Sequence, residues 1–283
     1  MHQEHRTSVT VSYNQRMLSC GGKLIRITVP YPLLMVVGIL LLNTLGGCSL
    51  PLYKESQLEE QAQLQFETMR ASTPVSNDVV TNEYVTCVAN AIIATLPPTY
   101  ANREWDVVVF DSQSINAFAM PGGHIGVFTG ILAVAENQDQ LAAIIGHEVA
   151  HVTEHHALER TNREATTQLG VMGATLALGG GEETADLLQK GAQLGLSLPY
   201  GRKQESGADA VGLMYMADAG FDPRQSVALW TNMEKKATAA PPEFMSTHPS
   251  PDSRKLDLIG HWATALPRYN AARAAGKRPN CRF

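Results

Sequence analysis

The pentad His147-Glu148-Val149-Ala150-His151 lies within a run whose apolar residues, Leu141, Ile144, Ile145, Val149 and Val152, recur at helical spacing. Such a stretch folds as a helix with one face in a core, and Asn137 is placed to cap its N-terminus. Side chains four residues apart project from the same helix face, so His147 and His151 converge on one ion and supply half of a zinc site. Glu148, one step round the helix, is poorly oriented as a ligand but within reach of a water held at the metal, which makes it a candidate general base. Zinc in a hydrolase takes three protein ligands and leaves one position for water. The third ligand must therefore lie elsewhere. The pattern HExxHxxGxxH is excluded, because positions 154 and 157 are Glu154 and Ala157. His155 and His156 are expected on other sides of the helix, as surface residues or secondary contacts.

A distant acid fits better. Glu205-Ser206-Gly207-Ala208-Asp209 places Glu205 and Asp209 on one face of another predicted helix, which runs over 203–219 and ends at Gly220. Glu205 then serves as third metal ligand. Asp209 accepts the far N–H of a ligand imidazole and fixes its tautomer.

With these residues in hand, the chain resembles the gluzincin metallopeptidases, the group of CAAX prenyl endopeptidases, HtpX-like and Oma-like proteases, and periplasmic lipoprotein relatives of the LoiP and BepA type. The resemblance covers residues 75–260. It rests on His147-Glu148-x-x-His151, on Glu205-x-x-Ala208-Asp209, on the segment from Asn116 to Gly123, and on Thr247-His248-Pro249 ahead of Arg254. It implies an α+β, mainly helical zincin-type metalloprotease with a small antiparallel sheet and one zinc ion per chain. It also implies an edge strand at Asn116, Ala117 and Phe118 that binds an extended peptide by strand addition. His248 is expected near zinc, either stabilising the oxyanion or binding as a fourth ligand that holds the enzyme latent. Arg254, just after a Ser250-Pro251-Asp252 cap and first turn, points either to solvent or back toward the site. The expected activity is hydrolysis of internal peptide bonds in unfolded or misassembled envelope proteins. The competing expectation is a membrane-tethered chaperone or assembly factor with a vestigial or regulatory metal site.

The rest of the chain sets this domain in context. Lys23 and Arg26 precede an apolar run, Leu33 to Leu42, which reads as a signal-peptide core ending in Leu45-Gly46-Gly47-Cys48. That ending resembles a bacterial lipobox. Residues 1–47 are expected to be removed, Cys48 to carry lipid, and Ser49 to favour the periplasmic face of the outer membrane. Beyond residue 47 the chain holds 18 basic and 26 acidic residues, a balance unsuited to nucleic acid as a partner. Residues 48–74 are expected to form a membrane tether and polar helix, 75–266 the catalytic domain and 267–283 a C-terminal tail. Within the domain, Trp105–Phe110, Ile115–Met120 and His124–Phe128 read as strands, the last two around the turn Pro121-Gly122-Gly123. Residues 169–201, rich in Gly, Ala and Leu, read as a loosely packed hairpin or loop, or as a lid or membrane-facing flap. Cys87 and Cys281 remain after the leader is lost, and their spacing leaves open whether they are bridged.

Overall fold

The computed structural model describes residues 50–237, 241–249 and 253–283. The expected leader, Cys48 and the Ser250-Pro251-Asp252 cap lie outside the described residues. Helices dominate: α1 Glu55–Ser72, α2 Val79–Ile93 and the short α3 Pro98–Ala101 precede strands β1 Asp106–Phe110, β2 Ala117–Met120 and β3 His124–Phe128. After a 3-10 turn at Thr129–Ala133 come α4 Gln138–Thr153, α5 His156–Ala177, α6 Glu182–Ala192, α7 Leu198–Ala219, α8 Gln225–Lys236, α9 Glu243–Thr247, α10 Arg254–Gly260 and α11 Trp262–Ala274. No helix among the described residues is long and apolar enough to cross a membrane.

The three strands form one sheet in the order β1-β3-β2. β2 and β3 are antiparallel, with Gly122 and Gly123 at φ of 90° and 93° in their turn, but β1 runs parallel to β3. The expectation of an antiparallel sheet is therefore corrected to a mixed one. The cause is the link over 111–116, which is pinned across the sheet end by Gly130 N–H donating to the Ser112 carbonyl and Ser112 N–H donating to the Thr129 hydroxyl. It carries the chain past one strand position before β2 begins, and β3 then fills the gap.

One sheet face carries Val109, Ala117, Ile125 and Val127, which join α2 and α4 in the main core. The other carries Val108, Phe110, Phe118 and Phe128. That second face is closed by α1, whose Phe66 is 1% exposed and packs against Phe110, Phe118 and the stacked ring of His124. Residues 55–72, expected as a tether, are thus a packed layer of the domain: three buried side chains, Leu58, Ala62 and Phe66, recur every fourth residue along an otherwise polar helix.

The chain end is likewise stitched in. The boundary expected at 266/267 falls inside α11. Beyond it, Gln138 exchanges hydrogen bonds with the Pro279 carbonyl and Cys281 N–H, and Cys281 forms a disulfide with Cys87 on α2.

Candidate functional site

Asn137 caps α4 through its side-chain oxygen, which accepts from Asp139 and Gln140 N–H. The helix is buried along nearly its whole length, His147 and Glu148 included. It crosses α7 where both helices lack side chains. A Cβ on Gly146 would lie 2.8 Å from the Gly212 carbonyl oxygen, and one on Gly212 would lie 2.7 Å from the Gly146 carbonyl. Backbone-to-backbone contact at this point brings Asp209 and Glu205, one and two turns before Gly212, against the imidazoles that follow Gly146.

The resulting cluster is compact. His147 Nε2 lies 3.1 Å from His151 Nε2 and 3.2 Å from Glu205 Oε2, while His151 Nε2 is 3.5 Å from Glu205 Oε1. His248 Nδ1 is the fourth donor, 3.2 Å from His147 Nε2 and 3.1 Å from Glu205 Oε2. One ligand atom from each of the four residues can be chosen so that all lie within 4.8 Å of one another. Tetrahedral ligands at zinc's usual bond lengths stand about 3.3 Å apart; the contacts of 3.1 to 3.5 Å, within a group whose ligand atoms all lie within 4.8 Å, are compact enough for that ion. The donor set, imidazole nitrogen and carboxylate oxygen, suits a divalent metal of this kind.

Both candidate imidazole ligands of α4 are aimed by a neighbour. His147 Nδ1 donates to Asp209 Oδ1 at 2.9 Å, turning Nε2 inward. Asp209 also accepts from Arg254 Nη2 at 2.6 Å, and the Arg254 guanidinium stacks on Trp230 at 3.8 Å. Of the two directions open to Arg254, the structure therefore takes the inward one, with the side chain buried. Its Nη1 donates to the His248 carbonyl at 3.3 Å, tying the loop after α9 to the ligand network. His151 Nδ1 sits 2.8 Å from His156 Nδ1. Of the two roles expected of His156, the contact is the secondary one, although the residue opens a new helix rather than lying on another side of α4. His155 adopts φ of 55°, which breaks the helical progression after Thr153 and returns residue 156 to the site. His155 itself faces outward, held by Tyr100 Oη at 3.0 Å and Glu55 at 3.1 Å.

The charges suit a cation. Burial opposes ionisation of Glu205 and Asp209, but hydrogen bonds from His147 outweigh it and hold both carboxyls below their ordinary range. His151 is pushed down by burial and by the adjacent His147 charge. Burial also works against charge on His147, yet the two carboxylates raise it to about 9, so protons compete for its Nε2. Burial drives the Glu148 carboxyl upward, toward the range of a working base. Glu148 Oε1 lies 3.3 Å from His248 Nε2, and its carboxylate meets the Ala119 backbone N–H.

A cleft of about 310 Å³ opens beside Glu148, His151 and His248, walled by Phe118, Ala119 and Pro121 on one side and by Leu58 of α1 on another. Where strand addition is expected, the side chains of Asn116, Ala117 and Phe118 do not converge on the candidate metal-binding group. Asn116 is buried and caps its own strand through Ala117 N–H, Ala117 is in the core, and the Phe118 ring packs among Phe66, Phe110 and Phe128. What faces Glu148 is the backbone of β2, an edge strand of the sheet.

Sequence comparison agrees with this geometry. Residues 80–260 match Peptidase family M48. The chain is 36% identical over 190 residues to the mitochondrial metalloendopeptidase OMA1 of Schizosaccharomyces pombe, an alignment covering 64% of this chain and 53% of that protein. It is 29% identical over 227 residues to the beta-barrel assembly-enhancing protease of Yersinia pestis, covering 76% of this chain and 45% of the relative. The Escherichia coli protein of the same name is 27% identical over 231 residues, with the same shares. The chain spans about half the length of these curated relatives.

Proposed function

The chain belongs to peptidase family M48, and from that premise we propose that it is a zinc-dependent endopeptidase acting on unfolded or misassembled proteins of a bacterial envelope. In this reading it is anchored through lipid on Cys48 at the periplasmic face of the outer membrane. The observation that carries the proposal is the compact group of two imidazoles and a carboxylate, with a second buried carboxyl, Glu148, beside it.

His147, His151 and Glu205 hold the metal; Asp209 and His156 fix the directions of the two imidazoles. A zinc ion held by these residues would supply Lewis acidity, bringing the pKa of a bound water to about 7 and polarising the scissile carbonyl. Glu148 accepts the proton of the attacking water on its carboxylate and delivers it to the departing amine. The substrate backbone extends the sheet along β2, with side chains reaching into the cleft between Phe118, Leu58 and His156. Recognition through backbone suits loosely selective cleavage of unfolded chains.

His248 occupies the corner that water needs, and its other ring nitrogen faces the base. Its two possible roles separate on this point: contact with both Glu205 and Glu148 supports the capping role, so the arrangement is a resting form that the His248 ring must leave before water can enter. Degradation of unfolded casein, with zinc and after chelation, tests the activity. Glu148→Gln should keep its metal and lose turnover by about 10²- to 10⁴-fold. Casein protected from aggregation but never cut would favour the chaperone alternative, and full activity in Glu148→Gln would remove the assigned base.

A further inference from the structure

The hairpin between the two halves of the metal site is the part of the molecule whose surface the proposed chemistry does not use. From residue 163 to 203, through the second half of α5, all of α6 and the start of α7, no residue is buried. Its aliphatic side chains are among the most exposed in the protein: Leu176 at 74%, Leu187 at 71% and Leu194 at 68%. Leu169, Met172 and Leu176 succeed one another at helical spacing along α5. Residues 165–181 and 191–201 contain no charge; Glu182, Glu183, Asp186 and Lys190 are confined between them.

The start of the described chain is fastened to the same hairpin. Tyr53 N–H donates to the Asn162 side-chain oxygen at 2.7 Å, and the Asn162 amide donates back to the Tyr53 carbonyl at 3.3 Å. Leu50 N–H donates to the Thr166 hydroxyl at 2.9 Å. Leu52 and Tyr53 thus line an open groove of about 470 Å³ together with Leu169 and Met172 of α5. Cys48 is two residues upstream of Leu50, a span of at most about 7 Å of fully extended chain.

We propose that this face lies on a lipid surface, with Leu50, Leu52, Leu169, Met172 and Leu176 in the interfacial layer of the membrane that the Cys48 acyl chains enter. The inference rests on the lipid-anchor reading above and adds a second point of attachment to it. Several acyl chains on Cys48 would hold the protein on the membrane by themselves; the aliphatic strip, fastened to Leu50 and Tyr53, adds a contact that fixes how the domain lies on it. A protein partner suits the strip less well. Protein interfaces draw their energy from Trp, Tyr and Arg anchors, whereas the strip is Leu and Met, with Tyr53 the single aromatic in the groove beside it. Because residues 182–190 carry three acids and one lysine, the surface required is zwitterionic rather than strongly anionic. Both arms of the hairpin run directly into the site, one from His156 and the other into Glu205, so membrane contact sets the orientation of the cleft.

The test uses the full-length lipidated protein in vesicles of phosphatidylethanolamine and phosphatidylcholine, with a bimane label on Leu176→Cys or, as control, on the exposed Leu256→Cys of α10. The label at 176 should shift to the blue and be quenched about twofold or more by nitroxide lipids, while that at 256 stays in water. Equal water exposure at both positions overturns the proposal. So does protection of 176 that appears without vesicles and rises with protein concentration, which would assign the face to a second copy.

A second arm separates the strip from the anchor. Intact mass reports whether Cys48 is acylated, and the unlipidated Cys48→Ser protein is floated with phosphatidylcholine vesicles. Flotation that falls about tenfold in the same protein carrying Leu169→Glu, Met172→Glu and Leu176→Glu supports the strip, even where the mass disproves the anchor. Equal flotation of the two proteins overturns it.

Discussion

Adding one methyl group at the helix crossing should loosen the metal site without touching a ligand. In Gly212→Ala the new Cβ would stand 2.7 Å from the Gly146 carbonyl and from His147 N, all backbone atoms that no rotamer change can move. Restoring ordinary contact at about 3.5 Å separates α4 from α7 by roughly 0.8 Å. Metal–ligand distances tolerate about 0.2 Å, so Glu205 on α7 cannot follow both imidazoles on α4. Overpacking of this kind costs about 1–3 kcal/mol. The metal-free protein can relax by letting the helices part, whereas the metal-bound form cannot, so most of the cost appears as zinc affinity weakened about five- to 150-fold. Gly201→Ala on the same helix is the control. A Cβ there meets nothing within 4 Å, and the gain in helix propensity should stabilise the protein by up to about 1 kcal/mol. Competition with a chromophoric chelator gives the affinity of each variant, and thermal unfolding gives the stability. Wild-type zinc affinity in Gly212→Ala would refute the claim that backbone contact at this crossing sets the ligand geometry.

Two further substitutions probe the groups around the ligands. His156→Gln removes the imidazole that holds His151 Nδ1 and should weaken metal binding by about 10- to 100-fold while leaving the fold intact by circular dichroism; unchanged affinity would make His156 a bystander. His248→Ala should raise casein turnover at saturating zinc, because it clears the water position and frees Glu148. A fall of about 10²- to 10³-fold would instead assign His248 to the oxyanion.

Much of the site is legible in the sequence because helical geometry is local. The spacing of four within His147–His151 and again within Glu205–Asp209 puts each pair on one face, and Asn137 and Gly220 mark helix ends by side-chain and backbone chemistry that needs no knowledge of the fold. What was not legible depends on contacts between distant segments. Gly146 and Gly212 carry no hydrophobic periodicity, yet their lack of side chains brings the two pairs together. The direction of β1 follows from where the 111–116 link crosses the sheet, which strand propensity does not encode. Phe66 docks a helix that composition marks as polar, since three apolar residues suffice for a narrow contact stripe. The direction of His156 is not legible because a helical wheel assumes uninterrupted rotation, and the left-handed residue His155 interrupts it. The segment expected to add a peptide strand has its side chains packed inward and its backbone beside the cleft, the disposition that strand addition needs.

The central claim is that His147, His151 and Glu205 hold a single ion. Equilibrium dialysis against zinc followed by metal analysis tests it directly, on wild type, His248→Ala and the double variant Glu205→Ala/His248→Ala, in which His248 cannot stand in for the carboxylate. One zinc per chain in the first two, and a loss of stoichiometric binding in the third, is the predicted result. Full zinc occupancy in the double variant, or none in the wild type, would contradict the account.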